Sequence, residues 1–242
     1  MDELWFVRPY DFLAEMPKAA KEELFSIGAT FNVKKDQLIF NAGAASDCVY
    51  VLLSGRTKIY ELTPEGKEVI LWFCFPGELF GIAEIMRETR RVVHAHACTN
   101  VRVLRIKRDL FTKYLMAYPE ISFRVIELLA CRLRELGDVM TNLVADDVAS
   151  RVAKLLTRLC VRHGKDNGRE YKLDICLTHQ EMADMIGATR QTVTSVLSNL
   201  KRQGFLRIEN KTIYIQNNKW VSSLPVDSKP ESGEQGGMNE SC

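Results

Sequence analysis

The chain has 242 residues, 46% of them hydrophobic and 26% charged, with a formal net charge of +2. This is the composition of an ordinary soluble globular protein with room for two domains. No apolar run reaches the length of a membrane span, and the opening MDELWFVRPYDF lacks the basic start and apolar core of a secretory signal, so a cytoplasmic protein without a membrane partner is expected.

The small net charge hides an uneven distribution. Residues 1–145 carry 19 basic and 19 acidic side chains, residues 146–220 carry 13 and 8, and residues 221–242 carry 1 and 4. The basic excess is modest, and it sits in the segment that carries the helical pair described below. The seven cysteines, at 48, 74, 98, 131, 160, 176 and 242, stand at least 16 residues apart. That spacing lacks the close pairs of a zinc or iron–sulfur site, and a cytosolic disulfide framework is not expected. They read as small buried apolar residues, with Cys242 in a tail. No cofactor or metal site is evident.

In chain order, YDFLAEMPKAAKEELFSIGATF reads as short helices. From Asn32 to Lys107 the pattern changes to short alternating segments: QLIF, CVYVLLSG, RTKIYEL, KEVILWF, RVVHAHAC and VRVLRI, with TPEG at 63–66 as a hairpin connection. So many short strands predict a barrel or roll. After Pro119 the pattern turns helical, and Ile126, Leu129, Leu133, Leu136, Met140 and Leu143 step by three and four. That is an a/d seam, able to pair with its own copy or to pack on its own domain; its regularity favours a homodimer. Asp147 is placed to cap a following helix, VASRVAKLLTRLCVRHG, which should end at Gly164.

The stretch THQEMADMIGATRQTVTSVLSNLKRQGFL reads as two helices split at Gly187. Thr178 and Glu181 have the spacing of a capping box, and Thr189 can cap the second helix. There Val193, Val196, Leu197 and Leu200 form one apolar face. The opposite face holds Gln191, Thr194, Ser195 and Ser198, with Arg190 at its N-terminal edge. A small, polar face without acidic side chains suits a DNA major groove, although such a face can also simply be solvated. FLRIENKTIYI follows, turning at Asn210-Lys211 into two short strands placed as a wing. The expected DNA-binding set is Thr178, His179, Thr189, Arg190, Gln191, Thr192, Thr194, Ser195 and Lys201, with Arg190 making a bidentate guanine contact. The last 22 residues have almost no apolar content and are expected to be disordered.

With LIFNAGAASDCVYVLLSGRTKIY and FPGELFG in front, the seam helix between, and the helical pair behind, residues 20–217 resemble the cAMP receptor protein/fumarate–nitrate regulator superfamily of bacterial transcription factors. The resemblance implies an α+β chain in four parts. These are a double-stranded β-helix (jelly-roll) sensor over 1–118, a dimerisation helix over 119–145, a winged helix-turn-helix over 146–220 and a tail over 221–242. It further implies a homodimer on a palindromic operator, with RNA polymerase as a further partner.

The effector is where this sequence departs from the superfamily. The cAMP pattern has a Gly-Glu pair for the ribose and an Arg-Ser pair for the phosphate, where this chain reads Gly81-Ile82 and Arg91-Val92. The farther Thr-Ser becomes Gly137-Asp138. Losing a carboxylate and three hydroxyls from a buried polar site argues against cAMP, at ~1–3 kcal/mol per unpaired partner. The oxygen-sensing branch needs an N-terminal cysteine cluster, and the first cysteine here is Cys48. A haem- or gas-responsive regulator would need ligands in ELFGIAEI, which holds neither His nor Cys. His94 and His96 share a strand face but lack a third ligand. LFGIAEIM, RVVHAHACT and Arg132 resemble the nitrogen-control branch, whose pocket binds 2-oxoglutarate. On that resemblance Arg91 and Arg132 would clamp a small acidic metabolite in a pocket with Phe80, Gly81, Ile82 and Val92. Gly137 departs from that branch's glutamate, and Arg132 could instead pair with Glu135 or Asp138. A different class, a nucleotide-binding regulatory module of an enzyme, is disfavoured by the wing and the recognition face. A catalytic role lacks any nameable nucleophile–base pair or metal cluster.

Overall fold

The computed structural model describes residues 10–216 except 15, 86, 88, 174 and 211, so the expected tail over 221–242 lies outside the described residues. A short helix α1 (Lys18–Ser26) leads into eight strands: β1 (Gly28–Val33), β2 (Leu38–Phe40), β3 (Cys48–Ser54), β4 (Thr57–Leu62), β5 (Glu68–Cys74), β6 (Leu79–Phe80), β7 (His94–Ala97) and β8 (Val101–Lys107). They form two four-stranded antiparallel sheets, in the orders β1-β8-β3-β6 and β2-β7-β4-β5. Face to face, these make the roll that the alternating segments predicted. Its interior is a ring stack, with Tyr50 5.5 Å from Phe40 and 5.4 Å from Phe80 between centroids, surrounded by buried Leu52, Ile59, Ala95 and Val103.

Strand β1 corrects the expectation of helix for the whole N-terminal stretch. Residues Gly28 to Val33 pair along their full length with β8, from Gly28↔Ile106 to Val33↔Val101. Gly28 permits the approach, since a Cβ there would sit 2.5 Å from Leu104 Cδ1. Pairing with a strand far along the chain overrides the local pattern.

Helix α2 (Arg108–Ala117) and the start of α3 (Pro119–Ala145) cover the outer face of the first sheet. Ile121, Val125 and Leu128 are buried with Val49, Val51, Leu104 and Phe111. The seam residues face the other way and stand in the open: Leu133 is 74% exposed, Met140 66% and Ile126 59%. Leu129, Leu136 and Leu143 flank them and are also exposed, while Phe123 and Met116 extend the stripe towards α2.

Helix α4 (Val148–His163) starts where expected, with Asp147 Oδ1 accepting from Ser150 N at 2.8 Å, and Gly164 follows its last turn. It packs through Val152, Leu155, Leu156 and Leu159 against α5 (His179–Ile186) and α6 (Arg190–Arg202). Two strands missed in the sequence, β9 (Gly164–Asp166) and β10 (Glu170–Leu173), join the hairpin β11 (Leu206–Glu209) and β12 (Thr212–Gln216) in a sheet of order β11-β12-β10-β9. Among the described residues, no helix is long and apolar enough to cross a membrane.

Candidate DNA-reading surface and sensor cavity

The helical pair is built by local hydrogen bonds. Thr178 Oγ1 accepts from Glu181 N at 3.0 Å, and Glu181 Oε2 accepts from Thr178 N at 2.7 Å, completing the capping box. Gly187 has φ +66°, the left-handed conformation that ends α5. A Cβ there would sit 3.1 Å from Leu143 Cδ2, so the last residue of the seam touches the turn between the two helices. Thr189 Oγ1 accepts from Thr192 N at 3.2 Å and opens α6.

Val193 and Leu197 bury one face of α6. Arg190, Gln191, Thr194, Ser195 and Ser198 are exposed on the other. Thr189, Arg190, Gln191, Thr194 and Ser195 line a shallow depression of about 600 Å³. Thr178 is exposed and Lys201 lies in the last turn of α6, so the expected set shares one side of the domain only in part: Thr192 and His179 are half-buried. His179 Nδ1 lies 2.8 Å from Thr194 Oγ1 and ties α5 to α6. In the wing, Arg207 holds Glu170 through Nε at 3.0 Å and Nη2 at 2.6 Å, and it lies over the Tyr214 ring. The wing is thereby pinned to β10, a role that no local pattern announced.

Deep in the roll, Arg91 has no exposed side-chain surface. Its Nη1 donates to Gly81 O at 2.6 Å and to Glu84 Oε2 at 3.3 Å, its Nη2 donates to Cys48 O, and its plane covers the Phe40 ring at 4.4 Å. Nε is buried without a partner. Phe80, Gly81 and Arg91 come together as expected, and a Cβ at Gly81 would lie 3.1 Å from Arg91 Nη1. Ile82 packs against the cluster that holds Leu79 and Ile85. Val92 does not join them; it is 64% exposed, because the chain turns outward immediately after Arg91.

The expected clamp of Arg91 with Arg132 does not form. Arg132 Nη2 donates to Glu78 Oε2 at 2.7 Å and Nη1 to Glu135 Oε2 at 3.0 Å, and its guanidinium covers Trp72. Burial by itself would lower its pKa, but the Glu78 and Glu135 carboxylates outweigh that and hold it above the ordinary arginine value. Arg162 of α4 donates to the same Glu78 and Glu135. Two carboxylates and two guanidiniums thus join the roll, α3 and α4 at one buried knot. The pairing with Glu135 was readable from its i,i+3 spacing; Glu78 was not, being 54 residues away. Asp138, in the position of the superfamily's farther contacts, pairs with Arg158 of α4 at 3.0 Å.

His94 stacks on Tyr60 at 4.9 Å, and burial together with nearby Lys58 lowers the pKa of His96. No group of three or more His, Cys, Asp or Glu side chains among the described residues could hold a metal ion. Burial pushes the thiols of Cys74 and Cys160 up to about 12 and that of Cys98 up to about 11, so they sit as inert apolar groups. Cys176 is exposed, unlike the buried majority expected, and Cys242 lies outside the described residues.

Residues 30–118 match the cyclic nucleotide-binding domain family, and residues 150–219 match the Crp-like helix-turn-helix domain family. The CRP-like cAMP-activated global transcriptional regulator of Mycobacterium tuberculosis is 33% identical over 181 residues, covering 75% of this chain and 81% of that protein. The chain belongs to the Crp/Fnr superfamily of transcription regulators. The global nitrogen regulator of Synechococcus elongatus is 27% identical over 76% of this chain and 84% of its own. The structure of FixK2 from Bradyrhizobium japonicum, 23% identical, superposes with a TM-score of 0.73 over 84% of this chain and all of that one, and shares the fold. As a Crp/Fnr protein the chain is a transcription regulator with a DNA-binding helix-turn-helix behind a roll of the cyclic nucleotide-binding domain family.

Proposed function

We propose that this regulator is a homodimer that pairs through α3 and reads a two-fold operator with α6, under the control of an effector other than cAMP. The observation that carries this reading is the exposed leucine and methionine stripe of α3, which ends at Leu143 against the Gly187 turn. An apolar stripe of that length is costly in water and is removed from it by pairing with a second copy. Because the seam reaches the turn between α5 and α6, pairing also sets the distance between the two recognition helices.

The effector reading rests on the roll. Ile82 offers no carboxylate for a ribose, Val92 points outward, and the Arg91 guanidinium is already closed by Glu84 and two carbonyls. A cyclic nucleotide phosphate would have to displace Glu84, and Val92 offers it no hydroxyl where the superfamily has a serine. A small acidic metabolite needs only the displacement of Glu84, and we retain it as the effector class, without Arg132 as a second clamp. Selection of binders from random duplexes tests the whole reading: inverted repeats with half-sites about 10 bp apart, or a multiple of that, should be enriched. Enrichment of single, unpaired sites would remove the two-fold reading.

A further inference from the structure

The side chains on the open face of α6 are not equally free to read bases. A threonine hydroxyl has one proton and two lone pairs. Thr194 Oγ1 lies 2.8 Å from the carbonyl oxygen of Arg190, one turn earlier. A carbonyl can only accept, so the hydroxyl proton is engaged there. The same oxygen lies 2.8 Å from His179 Nδ1. With the threonine proton already placed, this second contact holds only if Nδ1 carries a hydrogen and donates it.

The hydroxyl of Thr194 is therefore turned back on its own helix and held there from α5. It has no proton left for guanine O6, purine N7 or thymine O4. Apart from one lone pair on that turned-back oxygen, what the residue presents is its methyl group, on an exposed position beside Arg190, Gln191 and Ser195 in the same depression. In the major groove the apolar feature that complements a methyl is the C5 methyl of thymine.

Resting on the reading of α6 as the base-reading helix, we propose that Thr194 recognises a thymine through its methyl group and that His179 is the positioning residue that holds it in that orientation. His179 acts through Thr194 in this arrangement and makes no base contact of its own.

The test begins from the half-site that the full-length wild-type protein selects from random duplexes. Each thymine of that half-site is replaced in turn by deoxyuridine, which removes the C5 methyl and leaves every hydrogen-bonding edge intact. One position should weaken binding by about fourfold per half-site, the factor expected for one buried methyl. Thr194→Val keeps a methyl there and should keep that sensitivity. Thr194→Ser keeps the hydroxyl alone and should bind the thymine and uracil duplexes equally. His179→Ala should blunt the same discrimination while the guanine preference assigned to Arg190 persists, and His179→Asn, whose amide can donate from the Nδ1 position, should restore it. A half-site with no sensitive thymine, or a sensitivity that survives in Thr194→Ser, overturns the proposal. Failure to enrich any duplex would overturn the reading of α6 on which it rests.

Discussion

Arg56 Nη2 lies 3.0 Å from Glu181 Oε1, joining the sensor roll to the first helix of the helix-turn-helix. The other oxygen of that carboxylate closes the capping box on Thr178. Both side chains are largely shielded, at 13% and 15% exposed, and beside them Met185 and Leu177 pack against Tyr60, Ile70 and Phe73 of the roll. One carboxylate thus caps α5 and ties it to the sensor domain. Glutamine can fill the same position in a capping box. Glu181→Gln should therefore keep α5 capped and release Arg56, whereas Glu181→Ala should lose about 1 kcal/mol more through the cap. Denaturant midpoints of the two variants would check the difference.

At the seam, Leu133 and Leu136 lie near its middle. Replacing both with aspartate would bury charge at the pairing surface without touching the core side of α3, where Val125 and Leu128 pack. Sedimentation should show monomers, and operator binding should collapse. A double variant that stays dimeric would place the interface elsewhere.

In the roll, calorimetry with cAMP at micromolar concentrations should show no binding. Glu84→Ala should destabilise the roll by about 3–5 kcal/mol, since it strands the buried Arg91 charge. Acetate added to that variant should recover part of the loss by entering the vacated space, read as a rise in the melting temperature that the wild type does not show. Tight cAMP binding abolished by Arg91→Ala would contradict this account of the cavity.

On α6, the superfamily's cAMP-type half-site TGTGA is read by an Arg-Glu pair and a second arginine. Here Gln191 and Ser195 stand in place of the glutamate and the second arginine, while Arg190 is kept. Wild type should select TGT-N-A-like half-sites with the fourth base relaxed, each bidentate contact being worth ~1–3 kcal/mol. Gln191→Glu/Ser195→Arg should shift selection towards TGTGA. Equal strictness in both proteins would show that these two side chains do not set the fourth base.

What the sequence determined by itself depends on near neighbours along the chain, although the local pairing of β9 with β10 went unread. The Thr178–Glu181 box, the Thr189 and Asp147 caps and the Gly187 turn were legible because their partners stand three or four residues apart. The alternation of β8 and the stepping of the α3 seam were legible because burial on one face imposes a period, while β3 was legible as a short apolar run buried on both faces. The family resemblance added what periodicity could not, the order and purpose of these parts.

The tertiary structure alone decided which distant groups meet. Strand β1 exists because β8 needs a partner at its edge, and β10 because the wing hairpin does. Arg132 faces Glu78 across 54 residues of chain, which moved it from the cavity to the knot between roll, α3 and α4. Arg91 kept its expected place, but Glu84 took the anion position beside it. A buried charge must find an opposite charge or a set of acceptors, and the chain pattern does not say which one the fold will bring within reach.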